Sequence, residues 1–134
     1  MTTTQVKPTP EEIASELASY NQGSENFYHH DNSVTYTDGI KYLADSCEAY
    51  WLIDLISSYQ CERRIRQHPF QVWTMHVDDR KVAQIRCEDG NGHLITRQAV
   101  PFTTFPLETI TLYLEDGSLD GETLIKVLML PEER

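Results

Sequence analysis

The stretch Thr37–Gln60, TDGIKYLADSCEAYWLIDLISSYQ, limits what this chain can fold into more than any other. Thr37-Asp38-Gly39 is a helix-start signal, because a threonine side chain accepts a hydrogen bond from the unpaired N–H groups of a first helical turn. Ile40, Leu43, Ala44 and Cys47 then fall at i, i+3, i+4 and i+7 on one helical face, and Trp51 extends the row. From Tyr50 onward apolar residues occupy nearly every side except near Asp54, Ser57 and Ser58. Such a helix is covered on both faces, so this segment is the central packing element of a small domain. The polar run Asp45-Ser46-Cys47-Glu48 predicts a break into two helices, with Ser46 capping the second.

Upstream, residues 1–8 read as a disordered lead and residues 9–134 as a single domain, since 134 residues leave little room for another. Thr9-Pro10-Glu11-Glu12 supplies an N-cap, a proline at the first helical position and a capping-box glutamate; Ile13, Leu17 and Tyr20 complete a short amphipathic helix. Ser24–Ser33 reads as a polar connector. After Pro69 the period changes from helical to alternating. Strands are predicted over 70–77, 81–88, 93–100, 109–115 and 124–130, with Asp89-Gly90-Asn91-Gly92 as a hairpin turn. The last strand is apolar on both faces and therefore lies inside the sheet or is covered by a loop. Short loops between successive strands predict antiparallel neighbours. The expected fold is α+β, with N-terminal helices packed on one face of an antiparallel β-meander of about five strands.

Charge narrows the function classes. The net charge of −10 opposes direct nucleic-acid binding. Its distribution is uneven: residues 1–60 carry nine acids against two bases, residues 106–134 seven against two, and residues 61–105 five against seven. Arg63, Arg64 and Arg66 lie in that middle block, either offsetting a helix dipole or meeting an anion or partner. No apolar run is long enough for a membrane span, and the N-terminus lacks the basic start and apolar centre of a signal peptide. The three cysteines are odd in number and widely spaced, with Cys47 and Cys87 in apolar patterns, which predicts buried, reduced thiols and a cytoplasmic location.

Tyr28-His29-His30-Asp31 is the only run of chemically versatile side chains. Adjacent histidines in an extended segment point to opposite sides, so a metal would need His68, His76 or His93 as well. No nucleophile elbow, CxxC pair or phosphate-cradling glycine loop is present, and the acids of Asp116–Glu122 miss the calcium-loop pattern. No cofactor, metal or catalytic residue is assigned. Tyrosines on an acidic surface suit a protein-binding face, and Tyr28, His29, Asp31, Tyr36, Tyr113, Asp116 and Glu122 are the candidate contacts.

Several strings recur in order in a known group: T-D-G-x-K-Y-L-A (37–44), A-Y-W-L-x-D (49–54), F-Q-V-W-T (70–74), D-G-N-G (89–92), L-Y-L-x-D-G (112–117) and L-x-L-P (128–131). Over about residues 25–134 the chain resembles a family of small proteins of unknown function found in bacteria, notably cyanobacteria, and in plasmids and phages. The resemblance implies no activity or cofactor; it favours an accessory protein of mobile elements. The leading expectation is a non-enzymatic acidic module that binds a protein. One alternative is an inhibitor of a nucleic-acid-processing defence system, of anti-CRISPR or anti-restriction type. Another is an enzyme using residues 28–31 with His68 or His76. A third is a subunit whose surplus apolar surface makes a homodimer.

Overall fold

The computed structural model describes residues 7–134, so residues 1–6 of the expected lead lie outside the described residues. Helix α1, Pro10–Ala18, begins as its sequence dictates. The Thr9 hydroxyl accepts from Glu12 N at 3.1 Å, and the Glu12 carboxylate accepts from Thr9 N at 3.3 Å. Helices α2, Asp38–Cys47, and α3, Tyr50–Tyr59, are the two halves of the Thr37–Gln60 segment. The break sits at Glu48, which adopts a left-handed φ of 52° and donates its N–H to Ala44 O. The Ser46 cap is not formed: Ala49 precedes α3 and no side chain caps it. A single turn, α4, follows at Arg63–Arg66.

The sheet corrects the expected architecture. Among the described residues it has seven strands rather than five, in the order β1-β2-β7-β6-β3-β4-β5, and it is mixed. These are β1 (Phe27–His29), β2 (Val34–Thr37), β3 (Phe70–Val77), β4 (Ala83–Asp89), β5 (Leu94–Val100), β6 (Thr109–Gly117) and β7 (Ile125–Met129). All five anticipated strands form, but they are not a meander. The chain leaves β5, passes back, and inserts β6 on the far side of β3, where Leu112 faces Trp73 and Ile110 faces Met75. The crossing loop is anchored: Phe105 is buried, Thr103 N donates to Lys81 O at 2.9 Å, and Val77 N to Glu108 O at 2.7 Å. Strand β3 carries the inward row Trp73, Met75 and Val77, so burying both its flanks outweighs pairing β6 with its sequence neighbour.

Strands β1 and β2 occupy the predicted connector and the residues just after it. They pair antiparallel, and β2 then runs parallel to β7, with Thr35 opposite Val127. Strand β7 is interior, as its two apolar faces allow. One hydrophobic cluster joins Ile13 and Leu17 of α1, Ile40 and Leu43 of α2, Leu52, Ile53 and Ile56 of α3, Ile65, and the row Trp73, Met75, Ile85, Leu112, Leu114 and Leu128 of the sheet. The chain end closes the structure. Glu133, buried, accepts from the Thr37 hydroxyl at 2.5 Å, Gly39 N at 3.1 Å and Leu130 N at 3.0 Å. That carboxylate sits at the start of α2, where unpaired N–H groups and the helix dipole favour negative charge. Among the described residues, no helix is long and apolar enough to cross a membrane.

Candidate functional site: a tyrosine-lined acidic cleft

An open cleft of about 590 Å³ lies between the end of α1, the loop that follows it and the exposed side of α2. Its floor on α2 is formed by Asp38, Lys41, Tyr42 and Asp45. These stand at i, i+3, i+4 and i+7, the helical face that alternates with the buried Ile40, Leu43, Ala44 and Cys47. Tyr20 and Glu25 from the loop and Tyr28 from β1 complete the walls.

Asp38 fastens the loop to the helix. Its carboxylate accepts from Glu25 N and Asn26 N, each at 3.1 Å, and from the Tyr28 hydroxyl at 3.0 Å, while its own N–H donates to Ser24 Oγ at 2.8 Å. Desolvation opposes its charge, but the Asn26 and Glu25 main-chain donors and the Tyr28 hydroxyl prevail, so Asp38 is held below the usual carboxylate range. The same bond to Asp38 is the chief reason the Tyr28 phenol is held up. At the other end, Asp45 accepts from the Tyr50 hydroxyl at 2.5 Å and from Lys41 Nζ at 2.9 Å. Those two bonds lower Asp45; in return Asp45 raises Lys41 and pushes Tyr50 up to about 12. Burial, then Glu16, raises Tyr20.

The aromatic rings form two groups. Tyr20 and Tyr42 lie 6.0 Å apart, Tyr28 stacks on Tyr36 at 5.3 Å, and Tyr36 meets Tyr50 edge-on at 6.5 Å. Lys41 Nζ sits 5.5 Å from the Tyr28 ring centre, a cation–π distance. Each resolved shift in this cluster strengthens the state a group already holds at neutral pH. Asp38 and Asp45 stay charged, Lys41 stays charged, and the three tyrosines stay neutral. Asp38, Asp45 and Lys41 therefore present fixed charges beside neutral phenols.

Of the predicted contact residues, only Tyr28 lines the cleft; Tyr36, expected at the surface, is buried and stacks on the Tyr28 ring. His29 is exposed, on the opposite side of β1 from Tyr28. Asp31 lies in the β1–β2 turn, where its carbonyl accepts from Ser57 Oγ at 2.7 Å. Tyr113 is on the other face of the sheet against Phe70, with the Arg134 guanidinium 6.0 Å from its ring centre. Asp116 is paired with Lys126 at 2.6 Å, and Glu122 is exposed in a loop whose bonds converge on the Asp120 carboxylate. The histidines stay apart too. His30 bonds Asp54 at 2.6 Å and His93 bonds Asp89 at 3.1 Å; His76 lies on β3, four strands from β1. His76 is thus not brought to residues 28–31, while His68 follows α4 and its carbonyl accepts from Lys126 Nζ at 3.0 Å. Among the described residues, no group of three or more His, Cys, Asp and Glu side chains is placed to hold a metal. Cys47 and Cys87 are buried, and desolvation pushes them up to about 11 and about 12; Cys61 is exposed.

The sequence reading missed Tyr20, Tyr42, Tyr50, Asp38, Lys41 and Asp45 as a group. A signal existed in the polar i, i+3, i+4, i+7 face of α2, complementary to the apolar face that set the helix.

These features define a small mixed-sheet protein, with four α-helices among the described residues and an acidic, tyrosine-lined cleft on its N-terminal side. The chain belongs to DUF6876, a family of unknown function, whose model matches residues 11–134. The comparisons with curated proteins and with solved structures give no match.

Proposed function

We propose that this is a non-enzymatic protein-binding module that takes a basic segment of its partner into the tyrosine-lined cleft. The observation that carries the reading is the cleft itself: a concave surface walled by Tyr20, Tyr28 and Tyr42 and bearing Glu25, Asp38 and Asp45 against a single lysine, Lys41. Aromatic walls supply contact area with few rotatable bonds, and a lysine or arginine gains from both the ring faces and the carboxylates. The affinity test compares wild type with the Glu25→Lys/Asp45→Lys variant, which reverses two exposed charges. Partners cross-linked and identified in the host should be lost from the variant, and the wild-type complex should weaken with added salt. An identical set of partners on both proteins would sink the proposal.

A second reading is favoured by the charge of −10 and by the resemblance to a family met in plasmids and phages. In it the partner is the basic groove of a nucleic-acid-processing defence enzyme, which the acidic surface occupies in place of nucleic acid. Expression in cells carrying interference or restriction systems should then protect incoming DNA. No protection across those systems removes this reading and leaves the first standing.

A further inference from the structure

The edge strand β5, at the opposite end of the sheet from β1, bears on a second interaction that does not depend on the cleft. Its free main-chain groups follow from the ladder. Asp116 N donates to Pro69 O and Val77 N to Glu108 O, so odd-numbered residues of β3 turn their main-chain groups toward β6. Even-numbered residues then face β4, consistent with Asp78 N donating to Val82 O at 3.0 Å. Alternation carries the pattern across: Ala83, Ile85 and Cys87 face β5 and engage Val100, Gln98 and Thr96. The N–H and C=O of Arg97 and Ala99 are therefore aimed at the open edge. Ile95 lies at the register shift beside Cys87 and Glu88, and its carbonyl is already taken by Arg64 Nη1 at 2.8 Å.

Beyond the register shift at Ile95 and the charge of Arg97, this edge has none of the usual guards. Leu94–Val100 is seven residues long and contains no proline. Its one charge is of a single kind, with Arg97 directly across from Arg86 on the same face. Two like charges in register repel. Arg86 leans toward Glu88 at 3.5 Å, whereas Arg97 has no ion-pair partner among the described residues. A second copy of this chain is a poor occupant: pairing β5 with its symmetry mate would gather two arginines from each chain on one face. The geometry points to strand addition by an extended acidic segment of a partner protein, with a carboxylate beside Arg97 and main-chain bonds to Arg97 and Ala99.

The probe is the blocked peptide Thr-Glu-Thr-Glu-Thr-Glu-Thr, with its lysine counterpart as control, added to the full chain and followed by amide hydrogen exchange. The acidic peptide should slow exchange at Arg97 and Ala99 by about tenfold, and the lysine peptide should not. Ala99→Pro removes one outward N–H at an edge position that tolerates proline, and should abolish the effect at unchanged Tm. If that variant does not fold, Arg97→Glu should transfer the preference to the lysine peptide. Unchanged exchange, equal protection by both peptides, or protection that rises with protein concentration alone would each overturn the proposal. None of these results bears on the cleft.

Discussion

Gln71 is fully buried, and its amide is the hub beneath α3, α4 and β3. It exchanges bonds with Gln60 in both directions at 3.0 Å, donates to Ile65 O at 3.0 Å and accepts from the Trp73 indole at 3.0 Å. In Gln71→Leu the volume is nearly kept, the Cys87 thiol loses a weak contact at 3.9 Å, and two stronger polar groups lose their partner: the Trp73 N–H and Gln60 Oε1. The others keep one, since Gln60 Nε2 still reaches Ile56 O and Ile65 O still accepts from His68 N. Each orphan costs about 1–3 kcal/mol. The greater apolarity of leucine offsets about 1–2 kcal/mol of the sum. A net loss of about 3 kcal/mol is expected. With an unfolding entropy of about 2.1 cal/mol/K per residue over 134 residues, that lowers Tm by about 10 °C. Urea denaturation of Gln71→Leu, Gln60→Leu and the double variant provides the assay. The double variant leaves only the indole N–H orphaned, so it should lose at least about 1 kcal/mol less than the two singles added together. A single-variant loss under about 0.5 kcal/mol, or strict additivity, would refute the hub.

Two further outcomes follow from the α2 region. A Cβ on Gly39 would stand 2.6 Å from both Glu133 Oε1 and Leu130 Cδ1, so Gly39→Ala must shift the Glu133 carboxylate and the Leu130 side chain from the helix start. It should lose about 1–3 kcal/mol by urea denaturation; a neutral result would mean the C-terminal clamp is not closed in solution. Tyr50 has its folded pKa raised from 10.0 to about 12, chiefly by its bond to Asp45. The stability this adds is fully present below pH 10 and is lost as pH rises toward 12. In Asp45→Asn, phenolate absorbance should show one tyrosine titrating earlier than in the wild type; an unchanged curve would mean that the bond is absent.

How far the sequence could be read depends on the range of each signal. Helical period, capping and turn chemistry act within a few residues, and Thr9, Thr37 and Asp89–Gly92 act as their residue types require. Alternation reveals a strand when it runs for several residues, as in Phe70–Val77. It fails for β1 and β2, which have three and four residues and, in β2, burial at every position. Strand order lies beyond local signals altogether. Placing β6 beside β3 rather than β5 depends on which partner buries Trp73 and Met75, a contest between segments some forty residues apart. The break in the Thr37–Gln60 segment was legible, but its mechanism was not. A left-handed Glu48 ends α2, and α3 starts uncapped because Leu52, Ile53 and Ile56 hold it by burial.

The cleft shows the same limit from the side of function. Tyr28 lines the cleft and the buried Tyr36 supports its ring, because β1 and β2 pair in register with Tyr28 opposite Tyr36. What makes a site of them is α2, whose N-terminus is pinned from outside by Glu133, 94 residues away from Gly39 in the chain. Asp38 then bonds Tyr28 and the Glu25–Asn26 main chain from the first turn of that helix. The parallel β2–β7 pair delivers the chain end to this point, because β2 leads into α2 and β7 leads into Glu133 side by side. The crossover that made the sheet unreadable as a meander is thus what assembles the cleft. Loss of the clamp should therefore loosen the Asp38 contacts before it unfolds the sheet.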